Sequence, residues 1–154
     1  MRLNLGAADR RIDGFTSVDI CPPADIIADL SQPWPWPDSS VDEILAFDVF
    51  EHLADKRQTL NELWRVLKPG GTATIGVPDA TQGDGGHCDL THCSYWTGSD
   101  FDYVEKGNYA RERFRNSPYY GVKADFAVLS FAKQRHERTR GFSVEIQVKL
   151  QAVK

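Results

Sequence analysis

L-N-L-G-A-A-D-R-R-I-D-G-F-T-S-V-D, residues Leu3 to Asp19, sets the reading of this chain. A short apolar strand, Leu3 to Leu5, runs into Gly6. A second short strand, Phe15 to Val18, ends on the acid Asp19, thirteen residues after that glycine. An open α/β sheet holds a nucleoside with just these parts: the glycine lets backbone approach the ligand, and the carboxylate accepts hydrogen bonds from both ribose hydroxyls. Alone the pattern is weak. Gly6 is the only glycine of its turn, so a dinucleotide fingerprint is not satisfied, and an ordinary strand–turn–strand with a surface aspartate fits as well.

Working outward, further strand ends carry acids. Asp25 to Ala28 reads as a third strand ending on Asp29-Leu30, and Glu43 to Phe47 as a buried fourth strand ending on Asp48. The links 7–14 and 21–24 are too short for full crossover helices, which predicts thin helical cover near the first edge of the sheet. Ser31 to Ser40, with three prolines and two tryptophans, reads as a rigid loop capping the sheet rather than as a ligand for a proline-binding domain. The clearest helix follows: Asp55 as N-cap, Gln58 as its capping-box partner, and Leu60, Leu63, Trp64 and Leu67 at i, i+3, i+4 and i+7. It stops at Lys68-Pro69-Gly70-Gly71, and Thr72 to Val77 forms a fifth strand closed by Pro78-Asp79.

From Ala80 to Gly98 the composition turns to Gly, Asp, His, Cys and Thr, the mark of a functional loop. Ser99 to Lys106 predicts a short helix, and 108–121 has no clear period. Phe126 to His136 and Phe142 to Val153 read as two strands of a hairpin, the second with strict alternation. With 154 residues and neither repeat nor linker, the expectation is one domain over 1–154, with 80–118 as an active-site loop or lid.

Net charge is −4, so no global field favours nucleic acid; the basic clusters at Arg111, Arg113 and Arg115, and at Lys133, Arg135, Arg138 and Arg140, read as solvated faces. There is no apolar run of membrane-spanning length, and three cysteines cannot all pair within one chain. The expectation is therefore a reduced, cytoplasmic protein with no membrane partner.

Taken in order, L-N-L-G, V-D, D-L, E-H-L and R-V-L-K-P-G-G resemble the class I S-adenosylmethionine-dependent methyltransferases, over roughly residues 2 to 79, with a weaker echo at D-L-T-H, Asp89 to His92. The resemblance implies a Rossmann-like open α/β sheet of seven strands, mostly parallel, with a C-terminal antiparallel hairpin and reduced helical cover. It implies S-adenosylmethionine as cofactor. Asn4, Gly6 and Ala7 would form the turn under its methionine part, Asp19 would bind the ribose and Ile20 lie against the adenine. Asp29 and the Leu30 amide would read the adenine edge, and Phe47 and Asp48 would line the methionine end. Phe50 to His52 would face the transfer site, with Phe50, Tyr95 and Trp96 against the acceptor and His92 or His52 as catalytic base. This chain departs from the pattern in two ways. Ala7, Ala8 and Asp9 stand where a second glycine is usual, tolerable at Ala8 if its φ is negative. The N-terminal helices that usually cover the cofactor are expected to be absent, so that the 80–98 loop covers the site, a second subunit in a homodimer does, or cofactor binding is weak.

His87-Cys88 and His92-Cys93 put four possible metal ligands within seven residues, but the spacing does not match paired-cysteine zinc sites, and no metal is expected. The function expected is methyl transfer to a small-molecule oxygen or nitrogen acceptor, with nucleic acid disfavoured as partner. The alternative is a non-catalytic nucleoside-binding module or partner subunit. A nicotinamide-dependent oxidoreductase is disfavoured by the single Gly6.

Overall fold

The computed structural model describes residues 1–108, 119–139 and 141–154. Seven strands form one sheet in the order β3-β2-β1-β4-β5-β7-β6. They are β1 (Arg2–Leu5), β2 (Thr16–Asp19), β3 (Ile26–Ile27), β4 (Val41–Phe47), β5 (Leu67–Gly83), β6 (Phe126–Arg138) and β7 (Gly141–Ala152). The first five run parallel and β7 is antiparallel to both its neighbours, which leaves β6 parallel to the first five. The expected Rossmann-like sheet is present, with its strand order reversing direction beside β1, where open α/β sheets bind ligands.

Strand β1 lies between β2 and β4, with Leu3 opposite both Thr16 and Ile44. Leu3, Leu5, Val18, Ile44 and Ala46 are fully buried, which holds the carboxyl ends of β1, β2 and β4 together at one rim of the sheet.

Helix α1 (Lys56–Val66) begins where its cap predicts: the Asp55 carboxylate accepts from the Arg57 and Gln58 amides. The capping box is not made, because the Gln58 side chain instead donates to the Ser31 carbonyl and ties the tryptophan loop to the helix. Leu60, Leu63 and Val66 enter the core, and at Leu67 the backbone turns extended, so β5 starts earlier than expected and runs on to Gly83.

The tryptophan loop is a cap, as read. Trp34 and Trp36 are buried edge to face, 6.1 Å apart, and Arg65 donates to both of their carbonyls. Helix α2 (Gly98–Asp102) opens with a Thr97–Asp100 capping box. With a 3₁₀ turn at Phe50–His52, these are the helices among the described residues, and none is long and apolar enough to cross a membrane.

The final hairpin is asymmetric. Val144, Ile146, Val148, Leu150 and Ala152 of β7 point inward, whereas β6 is an edge strand exposed beyond its first residues. Two of its cations are paired, Lys133 with Asp79 at 2.6 Å and Arg135 with Glu137 at 2.7 Å, and Arg138 donates to the Ser143 hydroxyl at 2.9 Å. Charged side chains along an exposed edge block pairing with another strand. Arg111, Arg113, Arg115 and Arg140, with the 109–118 part of the lid segment, lie outside the described residues.

Candidate active site at the carboxyl ends of the strands

The turn after β1 is held by its own backbone. The Ala7 amide donates to the Val18 carbonyl at 3.1 Å, the Arg10 amide to Ala7 at 2.7 Å, and the buried Asn4 side chain to the Arg10 carbonyl at 3.0 Å. Gly6 has φ +63°, and a Cβ there would lie 2.5 Å from the Cβ of Val49, so glycine is required both for conformation and for close packing on the end of β4. Ala8 does not meet the condition under which its methyl group is tolerated without strain: its φ is +47°, in the left-handed region, at a cost of about 1 kcal/mol.

That strained conformation aims the Ala8 amide at the Asp19 carboxylate, 2.8 Å away, while the Cys21 amide reaches the other oxygen at 3.3 Å. Burial works to raise the Asp19 carboxyl, but the amides of Ala8, Cys21 and Ile20 outweigh it and hold it below the usual range. Asp19 is therefore an ionised acceptor at neutral pH, held between two turns. Beside it Ile20 is 67% exposed, and Asp29 is exposed with one oxygen bonded to the Ser31 amide and hydroxyl. The Leu30 side chain enters the core, and its carbonyl accepts from the Trp34 indole. Phe47 packs beside Gly76, where a Cβ would lie 2.5 Å from its ring, and Asp48 (φ +54°) donates its amide to the Gly76 carbonyl.

The 3₁₀ turn after β4 meets the loop after β5. The Glu51 carbonyl accepts from the Cys93 and Ser94 amides, which carries His92 alongside Glu51 and His52. The two imidazoles stand 5.0 Å apart, edge to face, and His92 Nε2 is 3.9 Å from Glu51 Oε1 and 4.0 Å from Asp89 Oδ2. Glu51 is 2% exposed; burial pushes its carboxyl up to about 7, and the charges of Asp48, Glu145 and Asp89 add to the shift. Sequence reading placed Glu51 at the transfer site within the span Phe50 to His52 but gave it no role of its own, because a glutamate beside a histidine carries no signal of its burial.

Phe50 and Trp96, expected to meet the acceptor, are instead fully or nearly fully buried, 5.7 Å apart, with Trp96 stacked on Phe101. Both belong to the hydrophobic core. Tyr95 is 46% exposed and stacks on His87 at 4.5 Å. Asp48 also borders a cleft of about 370 Å³ lined by His136, Arg138 and Glu145 from the hairpin, residues that no short motif in the sequence connects to the strand ends. A larger cleft of about 770 Å³ runs along α1 past Arg57, Gln58 and Asn61, and none of the expected site residues lines it.

Residues 7–75 match the model of a methyltransferase domain. A protein of Mycolicibacterium smegmatis described as a "probable S-adenosylmethionine-dependent methyltransferase" is 47% identical over 45 residues, 29% of this chain and 18% of that protein. The tRNA 5-carboxymethoxyuridine methyltransferase of Escherichia coli is 33% identical over 100 residues, 65% of this chain and 33% of that enzyme. The chain thus spans a third or less of the length of these relatives. Among solved structures, an S-adenosylmethionine-dependent methyltransferase from Methanosarcina mazei superposes with a TM-score of 0.63 at 13% identity, over 99% of this chain and 92% of that one. Strand order, the glycine turn, the strand-end acids and these matches agree: over residues 7–75 the chain carries the sequence pattern of a methyltransferase domain, set on the sheet found in S-adenosylmethionine-dependent methyltransferases.

Proposed function

We propose that this chain binds S-adenosylmethionine at the carboxyl ends of β1 to β4 and transfers its methyl group to an oxygen or nitrogen nucleophile. The observation that carries the reading is the Asp19 carboxylate, ionised, partly open to solvent and positioned by the Ala8 amide across the β1 turn. The donor set fits the cofactor. An ionised Asp19 accepts from vicinal ribose hydroxyls, the exposed face of Ile20 suits one side of an adenine, and the exposed Asp29 accepts from an exocyclic amine. Asn4, Gly6 and Ala7, with Phe47 and Asp48, would border the methionine portion.

When bound, the cofactor supplies an activated methyl group, so the protein's work is alignment and proton removal. In the protein without metal, a ring nitrogen of His92 or His52 would take the acceptor's proton, Tyr95 would contact the acceptor, and the buried Phe50 and Trp96 would support the site from the core. A small-molecule acceptor suits the cleft of about 370 Å³ beside Asp48. An RNA acceptor is the second reading, favoured by the identity to the tRNA-modifying enzyme over 100 residues.

Turnover tests both. S-adenosylhomocysteine should accumulate with members of a panel of small hydroxyl and amine acceptors, whereas accumulation only with unmodified tRNA would transfer the assignment to RNA. Cofactor binding without turnover on either would leave a binding module. A second copy closing over the exposed Ile20 would show as cofactor-dependent dimerisation in sedimentation.

A further inference from the structure

We infer that Glu51, His52 and His92 form a binding site for a borderline divalent metal ion of the zinc type. One donor atom from each lies within 4.8 Å of the others, drawn from the 3₁₀ turn after β4 and the loop after β5. Two imidazoles and a carboxylate are a donor set used at catalytic zinc centres, where a fourth position stays open for water or substrate. Bonds of about 2.1 Å place tetrahedral ligands roughly 3.4 Å apart, so small side-chain rotations complete the site.

Two independent features point to a cation. The first is the state of Glu51. Its side chain is 3% exposed, and its Oε2 meets no hydrogen-bond donor among the described residues. No lysine or arginine of the described residues pairs with it either; its ion-pair contact is the 3.9 Å approach of His92. A buried carboxylate oxygen without a partner is costly, and a divalent cation would satisfy it. The second feature is the outer contacts of the histidines. His52 Nδ1 lies 3.2 Å from the Thr91 carbonyl, and His92 Nδ1 lies 3.2 Å from the Gly86 carbonyl. A carbonyl only accepts, and the Thr91 hydroxyl, 3.1 Å from His52 Nδ1, donates its proton to Asp89 at 2.6 Å and so faces the ring as an acceptor; these contacts favour the tautomer with the proton on Nδ1, leaving Nε2 to bind a metal. Imidazoles oriented in this way by backbone carbonyls are the usual outer shell of metal-bound histidines.

The arrangement differs from the cluster suggested by the loop sequence. Of His87, Cys88, His92 and Cys93, only His92 joins it. His87 stacks on Tyr95, Cys88 Sγ points to the Gly85 carbonyl, and Cys93 Sγ points to the Glu51 carbonyl. Asp89, 4.0 Å from His92 Nε2, adds negative charge without being needed as a ligand.

The site stands on this geometry alone; its part in methyl transfer rests on the proposed function. There, a metal ion would bind an acceptor oxygen and lower its pKa, and the two histidines would serve as ligands rather than as bases.

The test is calorimetric titration of chelator-stripped protein with Zn²⁺, in parallel with titration by S-adenosylhomocysteine. One zinc per chain is expected, weakened at least about 100-fold by His92→Ala and by the near-isosteric Glu51→Gln, and unchanged in a Cys88→Ser/Cys93→Ser variant. Circular dichroism checks that each variant folds. A spectrum of the Co²⁺-loaded wild type needs no variant: d–d bands without a sulfur-to-cobalt charge-transfer band support the assignment. Absence of zinc binding, loss of binding in the cysteine variant, or a thiolate band would overturn it. Zinc failing while S-adenosylhomocysteine binds removes only the metal site; the reverse removes only the cofactor reading.

Discussion

Gly6→Ala tests the geometry of the β1 turn. Two costs add. The left-handed φ of +63° charges a methyl-bearing residue about 1–2 kcal/mol. The new Cβ would also lie 2.5 Å from Val49 Cβ and 2.7 Å from its Cγ2, and forcing an extra methyl into packed surroundings costs about 1–3 kcal/mol. The sum, roughly 2–5 kcal/mol, is a large part of an ordinary domain stability of about 5–15 kcal/mol. For a chain of this length it corresponds to a fall of roughly 4–20 °C in melting temperature. Removing the opposing side chain separates the terms. Gly6→Ala combined with Val49→Gly keeps the φ cost and loses the clash, so a double-mutant cycle by urea denaturation should show about 1–3 kcal/mol of coupling. A Gly6→Ala protein within 0.5 kcal/mol of wild type, or a cycle without coupling, would refute the close approach of the turn to the end of β4.

Three further outcomes follow from the structure. Ala8→Gly should raise stability by up to about 1 kcal/mol, since relief at φ +47° exceeds the added chain entropy; a loss of stability would show that the position is not strained. Arg65→Ala should cost about 2–3 kcal/mol and red-shift tryptophan emission, because Arg65 donates to the Trp34 and Trp36 carbonyls and pairs with Glu62, and an unshifted spectrum would contradict that role. Asp25 is held down to about 2 by the Ser17 hydroxyl and amide and by Arg11. A depressed carboxyl contributes stability that is fully present above its unfolded value near 3.8 and is lost as pH falls through about 2. Asp25→Asn should therefore flatten the acid limb of the stability profile while leaving the limb above pH 5 with its original slope.

Much of the sheet was legible because its signals are local. Apolar runs closing on Asp19, Asp29 and Asp48, and alternation from Val144 to Leu150, mark strands without any knowledge of their partners. Asp55 as N-cap was equally plain. The fate of Gln58 was not, since its choice of the Ser31 carbonyl over its own helix end depends on where the tryptophan loop packs. The same limit explains the site. The positive φ of Ala8 is imposed by the contacts of its turn with β2, and a sequence offers only the residue's preference. Phe50 and Trp96 read as surfaces for an acceptor, yet aromatic residues next to polar motifs fill the core whenever burial is available. The burial of Glu51 was hidden for the opposite reason. Its burial comes from the loop after β5 folding across it, a contact some 40 residues distant in sequence.

The central claim is that Asp19 anchors S-adenosylmethionine at the tip of β2. Calorimetric titration of the folded protein with S-adenosylhomocysteine, compared with Asp19→Ala, tests it most directly. Charge-assisted hydrogen bonds of about 1.5–3 kcal/mol predict binding to the wild type and a weakening of roughly 10- to 150-fold in a variant whose circular dichroism is unchanged. No binding to wild type, or equal affinity in the folded variant, would contradict the account.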